Sequence, residues 1–278
     1  MLKKLTLITL LSLSLYAAET RVIHGESVSD DNDMWKFIVS LKSGGDHYCG
    51  GSIIKKNWIL TAAHCLTDEE GNPNPVYTDD SVGSGAYNLN DMTEYQIKRY
   101  IIHPNYESTS TDNDIALIEL KETIPTIDPI VYDTNNPLEA DTRTELAGWG
   151  NMDSQGEDYP EDLQEALLPI VDFDTCNSDT SYDGYLTENM FCAGYLDGRK
   201  DGCQGDSGGP LIVDNTLVGI VSWGNGCAQE NFPGVYTKVQ NYASWITETT
   251  KEVTPKPKPI LWVPIVIDNI ITFIPKAI

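Results

Sequence analysis

Gly205-Asp206-Ser207-Gly208-Gly209-Pro210 sets a serine among glycines. Residues without a Cβ let the backbone turn sharply and approach a substrate closely. The stretch also contains the Gly-x-Ser-x-Gly of a nucleophile elbow. On its own it is equally the pattern of an ordinary tight turn. A serine hydroxyl attacks a carbonyl only when a base takes its proton and a third group orients that base.

Chain order narrows the choice. The histidines are 24, 47, 64 and 103, and all precede Ser207. An α/β-hydrolase needs its histidine after the serine, so that arrangement is excluded. The subtilisin order needs an aspartate before the histidine on an α/β scaffold, which this chain does not resemble. Histidine, then aspartate, then serine on an all-β chain remains.

His64 lies in Leu60-Thr61-Ala62-Ala63-His64-Cys65, a run of small and apolar residues beside a cysteine. A general base must be held within hydrogen-bond reach of its nucleophile, and such a setting supplies rigidity. His103 precedes a proline and reads as a surface turn, and His24 and His47 sit near glycines in expected loops. Asp114 opens the apolar run Ile115 to Ile118. A carboxylate entering a core needs a fixed partner. A histidine ring nitrogen would satisfy it and orient the base.

These groups need a scaffold. Phe37 to Leu41, Ile115 to Ile118 and Leu217 to Val221 are short β-branched runs. Separated by Gly, Pro, Asn and Asp, they predict strands of a sandwich or barrel. Only Tyr242 to Thr250 reads as helical, with Trp245 and Ile246 as its apolar side; 66–81 and 151–162 read as surface loops. The 278 residues suffice for one large all-β domain or two ordinary ones, and 40% hydrophobic content marks a globular chain. A net charge of −24 repels nucleic acid and anionic surfaces and attracts cations. No nucleic acid is expected as a partner.

Residues 1–18 read as an export signal. Lys3 and Lys4 give the charged start, Leu5 to Leu15 the apolar stretch, and Ala17-Ala18 the small residues near a cut. That places the chain outside the cytoplasm, secreted or periplasmic, where disulfides persist. Cysteines 49, 65, 176, 192, 203 and 227 form no Cys-x-x-Cys pair, so a zinc or redox site is not indicated and no metal is expected. Three disulfides are the default, and six cysteines allow fifteen pairings.

The three blocks around His64, Asp114 and Ser207 resemble the signatures of the trypsin/chymotrypsin family of serine proteases. So do Gly148-Trp149-Gly150, Ser222-Trp223-Gly224 and Pro233-Gly234-Val235-Tyr236, and the resemblance runs from Val22 to Thr250. It implies two six-stranded antiparallel β-barrels with a C-terminal helix and the site between the barrels. It implies that Ser207 attacks, His64 shuttles the proton, Asp114 orients His64, and the N–H groups of Gly205 and Ser207 form an oxyanion hole. Disulfides would join Cys49 to Cys65, Cys176 to Cys192 and Cys203 to Cys227. Asp201, six residues before Ser207, stands where trypsins place the carboxylate of the primary pocket. Ser222, Trp223, Gly224 and Gly234 would line that pocket, so cleavage is expected after Arg or Lys in protein or peptide substrates. A catalytically inactive homologue acting as a binding module is the alternative, and it would be expected to lack one of these residues.

By the same resemblance, 19–21 is a propeptide and cutting at Arg21–Val22 frees an amine that pairs with Asp206. The expected start is Val22-Ile23-His24-Gly25, where the usual form has two glycines. No cofactor is expected. Calcium stays open, because Ala86 stands in the Gly83 to Glu94 stretch where a first glutamate ligand belongs. A monomer is expected, with a peptidase domain over 22–252. At 253–278 the composition changes to a Pro/Lys linker and an apolar tail. Pro264, Asp268, Asn269 and Pro275 argue against a spanning helix there. The tail is expected to contact a partner or a membrane interface.

Overall fold

The computed structural model describes residues 25–29, 31–135, 137–153, 158–251, 260–267 and 270–277, the last two stretches by strand pairing alone. The expected signal, propeptide and linker lie outside the described residues. The chain divides into two compact units, Met1–Ser244 and Trp245–Ile278.

In the first unit a two-residue strand, β1 (Glu26–Ser27), precedes six strands. These are β2 (Ile38–Ser43), β3 (Asp46–Lys55), β4 (Trp58–Thr61), β5 (Asp80–Ser84), β6 (Thr93–Ile102) and β7 (Ala116–Leu120). They close as an antiparallel barrel in the order β2-β3-β4-β7-β6-β5. The short β8 (Val131–Tyr132) leads to β9 (Arg143–Gly148), β10 (Gln164–Val171) and the single helical turn α1 (Phe173–Cys176). Then come β11 (Met190–Ala193), β12 (Pro210–Val213), β13 (Thr216–Trp223) and β14 (Gly234–Lys238). β9 pairs with both β10 and β12, closing a second antiparallel six-stranded barrel over β11, β13 and β14. The resemblance implied this architecture.

Alternation builds the second core. Along β10, Ala166, Leu168 and Ile170 are buried while Leu167 is exposed. The inward set packs with Leu146, Phe191, Leu211, Val218 and Tyr236. Truncating one such leucine to alanine costs about 2–5 kcal/mol.

Two pairings bring the chemistry together. Thr61 at the end of β4 lies opposite Ala116 at the start of β7. The residues just past that pair, 62–64 and 113–115, therefore emerge side by side. In the second barrel Pro210 of β12 faces Ile220 of β13, which sets the loop before β12 against the end of β13.

The short helix α2 (Ala243–Thr249) follows a 3₁₀ turn at Val239–Tyr242, with Ile246 buried and Trp245 half-buried. The second unit contains an antiparallel hairpin, β15 (Ile260–Ile267) with β16 (Ile270–Ala277), in register from Ile267↔Ile270 to Ile260↔Ala277. No helix among the described residues is long and apolar enough to cross a membrane.

Candidate active site

Asp114 is fully buried, and its carboxylate holds His64 twice. Oδ1 accepts the His64 backbone N–H at 2.9 Å, and Oδ2 meets His64 Nδ1 at 2.8 Å. Oδ2 also accepts the Ser222 hydroxyl at 2.5 Å, and Thr237 Oγ1 donates to the Asp114 carbonyl at 2.8 Å. Both donors come from the second barrel, Ser222 holding the carboxylate and Thr237 the backbone of Asp114. His64 starts a single 3₁₀ turn with its side chain 30% exposed. Burial pushes its pKa down, but the charge and hydrogen bond of Asp114 outweigh that and hold it above 6.5.

Ser207 sits half-buried in the turn before β12 and is tied across the barrels, since the Gly50 N–H of β3 donates to its carbonyl at 2.7 Å. Gly208 adopts φ +76°, and a Cβ there would strike Thr61 Oγ1 and the Gly50 carbonyl. The N–H groups of this turn are unequally used. Those of Asp206, Gly208 and Gly209 donate to Cys203, Val221 and Asp206 carbonyls at 2.8–2.9 Å. Among the described residues the N–H groups of Gly205 and Ser207 donate to no protein acceptor. Two free donors beside a serine hydroxyl form an arrangement that can receive a developing oxyanion.

Asp206 is buried, its carboxylate accepting Gly150 N–H at 2.8 Å and Cys203 N–H at 2.9 Å. Gly150 must be glycine, because a Cβ there would overlap this carboxylate. Burial pushes Asp206 up to about 6 against the pull of those two N–H groups. Among the described residues it pairs with no cation. Arg21 and Val22 lie outside the described residues.

A cavity of about 220 Å³ opens beside Ser207, lined among others by Asp201, Ser222, Trp223, Gly224, Gly234 and Tyr236. The Cys203–Cys227 disulfide ties two of its walls; Cys49–Cys65 and Cys176–Cys192 are the other bridges. Five buried side-chain polar atoms lack a hydrogen-bond partner among the described residues, and three belong to Asp201, Trp223 and Tyr236. Unpaired polar atoms concentrated in one cavity mark it as a ligand site. Ala228 N–H donates to Asp201 Oδ2 at 2.9 Å, while Oδ1 is buried and unpaired. Burial lifts the Asp201 carboxyl to about 7.

Among the described residues no hydrogen bond joins Ser207 Oγ to His64 Nε2; an imidazole held by a buried carboxylate, a serine beside free N–H donors and a pocket with an acidic floor are the parts that acyl transfer requires. The family model for trypsin matches residues 22–246. The chain belongs to the trypsin family. It is a trypsin-like serine endopeptidase acting on protein or peptide substrates. It is similar to trypsin-3 of Salmo salar, with 44% identity over 219 residues, 77% of this chain and 87% of that one. Trypsin of Xenopus laevis is 44% identical over 220 residues, 77% and 84%. Trypsin of Sus scrofa is 42% identical over 221 residues, 77% and 89%.

Calcium, which trypsins can carry, does not fit the donors here. The Lys42 ammonium reaches into the 83–94 stretch, donating to the Leu89 carbonyl at 2.7 Å and lying 3.6 Å from Glu94 Oε1. Glu94 Oε2 accepts from Ser81. A buried lysine thus stands where a divalent cation would need to be. Among the described residues one His/Cys/Asp/Glu cluster has metal-ligand spacing, Cys49, His64 and Cys65, and its sulfurs are joined in a disulfide.

His47 does not lie in a loop. It belongs to β3, its Nδ1 meeting Ser40 Oγ at 2.8 Å and its Nε2 meeting the Gly205 carbonyl at 2.9 Å. Burial lowers its pKa to about 4, so it stays neutral behind the serine turn. Ser40, the polar residue within the apolar run Phe37 to Leu41, was the signal that a buried partner exists.

Proposed function

We propose that this trypsin-family chain is exported as a zymogen and, once cut at Arg21–Val22, hydrolyses peptide bonds after Arg or Lys. The unpaired, buried Oδ1 of Asp201 at the floor of the pocket beside Ser207 carries this reading. Ser207 attacks the scissile carbonyl, His64 accepts the proton and returns it to the leaving amine, and Asp114 fixes the imidazole tautomer. The Gly205 and Ser207 N–H groups stabilise the oxyanion, each worth about 3–4 kcal/mol. The test is hydrolysis of substrates differing only in the residue before the scissile bond. Turnover confined to Arg and Lys supports the specificity, and efficient turnover after Phe or Leu overturns it. The inactive-homologue reading predicts no reaction of Ser207 with a fluorophosphonate.

The freed Val22 amine is proposed as the cation for buried Asp206. An ion pair raises the amine above its reference of about 7.7–8. Its contribution is therefore complete below the reference and lost as pH climbs through the raised value. Arg21→Gln is expected to give exported protein with activity at background. Wild-type activity from that variant without a new cut would refute the scheme.

The 253–278 segment is proposed to act apart from catalysis, as a contact for a partner or membrane interface. Truncation after Thr250 is expected to leave turnover of small substrates within about twofold while changing retention of the enzyme in cells; loss of folding or turnover would place the tail in the catalytic core.

A further inference from the structure

Besides the pocket at Asp201, another cavity of about 220 Å³ is lined by Cys65, the residue that follows His64. Its walls include Tyr48, Cys65, Tyr77, Asp80 and Tyr100. Cys65 fixes where it stands relative to the chemistry, because its Sγ lies 3.8 Å from His64 Nε2. With the acyl residue of a substrate in the Asp201 pocket, the leaving nitrogen must approach the atom that protonates it, His64 Nε2. The chain beyond the scissile bond then passes over the Cys49–Cys65 bridge. At about 3.3 Å per extended residue it reaches this cavity within one or two residues.

The outer wall is built, not loose. The loop between Leu66 and Asp80 is pinned by the Thr67↔Pro73 bridge and by Asn74 N–H to the Leu66 carbonyl at 2.8 Å. Tyr77 is 58% exposed at its rim. The floor is Asp80, 5% exposed. Its carboxylate accepts from Ser43 Oγ at 2.9 Å, Tyr77 N–H at 2.8 Å and Tyr100 hydroxyl at 3.0 Å. These donors are all neutral, and among the described residues Asp80 has no cationic partner. Two oxygens offer about four acceptor sites, so one remains. Ser43 is in register with both Asp46 and Asp80, and Gly44 N–H donates to the Asp79 carbonyl, so two further carboxylates join this corner. No lining residue is cationic.

We infer that this cavity is a subsite for a cationic side chain, arginine over lysine, on the leaving-group side of the scissile bond, with Asp80 as its specificity-determining residue. Tyrosine rings beside a carboxylate suit a planar guanidinium, which stacks on an aromatic face and hydrogen-bonds in a fork. The inference rests on the peptidase reading above.

The experiment uses activated enzyme and quenched peptides with one Arg before the bond and Arg, Lys, Ala or Glu at each of the next two positions. Arg beyond the bond is expected to raise kcat/KM about tenfold over Ala, and Glu to lower it. Asp80→Asn should abolish the Arg advantage while an arginine anilide, which has no residue beyond the bond, is cut as by wild type. Should Asp80→Asn fail to fold, Tyr77→Ala at the exposed rim serves instead and should reduce the same advantage at unchanged anilide turnover. No Arg preference in wild type, or a preference that survives in the folded variant, overturns the subsite. Absence of any cleavage of peptide or anilide by wild type would refute the peptidase reading instead.

Discussion

Asp114→Asn is expected to lower kcat/KM by on the order of 10⁴-fold while leaving the protein folded. Asparagine keeps the shape of a fully buried side chain but not its acceptor set. Oδ2 takes both His64 Nδ1 and the Ser222 hydroxyl, whereas an amide must turn its NH₂ toward one acceptor position. The imidazole then carries its proton on Nε2, where it cannot accept one from Ser207. The pH profile separates this from mere loss of packing. Asp114 holds His64 above 6.5, so the acid limb of wild-type kcat at saturating substrate should have its midpoint above 6.5. The residual activity of the variant should lose that raised limb. The stability sign runs the other way. A histidine with a raised folded pKa stabilises the fold fully below 6.5, and that contribution disappears as pH rises through the raised value. Wild type is thus most active where the His64–Asp114 charge pair no longer stabilises it. Turnover within tenfold of wild type, or an unmoved acid limb, would remove Asp114 from its proposed role.

The candidate site was legible because its residues close strands or sit in turns with distinct chemistry. Asp114 precedes β7 and His64 follows β4; chain order excluded the α/β-hydrolase arrangement, and the all-β pattern excluded that of subtilisin. Strands at 38–43, 116–120 and 216–223 were visible as short β-branched runs. The barrel order β2-β3-β4-β7-β6-β5 was not, because pairing between distant strands leaves no local mark. Nor was His47 behind Gly205, since a histidine near glycines reads equally as a loop.

The tail was opaque for another reason. Both alternating sets in 260–267 are apolar, and in 270–277 only Thr272 and Lys276 mark one set as polar, so the period of two is faint. Its prolines also argue against strands. The register resolves that conflict. Ile267↔Ile270 flanks two residues and is the hydrogen-bonded pair, so every second pair outward is not. Pro264↔Phe273 and Trp262↔Pro275 fall among those. Neither proline forfeits a bond inside the hairpin, and each stands where an outer edge lacks an N–H.

Asp201→Ser is expected to cut kcat/KM for Arg and Lys substrates by on the order of 10⁴–10⁵-fold and to erase their advantage over Phe and Leu. The wild-type pocket holds an unpaired carboxylate oxygen and the unpaired Tyr236 hydroxyl. A neutral apolar side chain would leave both desolvated, so the proposed discrimination is expected to arise as much from penalising wrong residues as from rewarding a cation. Gly234 keeps the floor open, since a Cβ there would come within 2.9 Å of Asp201 Oδ1. Stability provides the control. Burial raises the carboxyl from 3.8 to about 7, so its ionisation works against the empty fold as pH climbs between those values. Removing it should leave the variant at least as stable as wild type at neutral pH, while substrate preference collapses. The same shift means that protonation competes with the substrate cation. KM for arginine substrates in wild type should therefore rise as pH falls below about 7, apart from the His64 limb in kcat. A variant that unfolds more readily at neutral pH, or one that still prefers Arg, would show that Asp201 is a structural carboxylate and that specificity resides elsewhere.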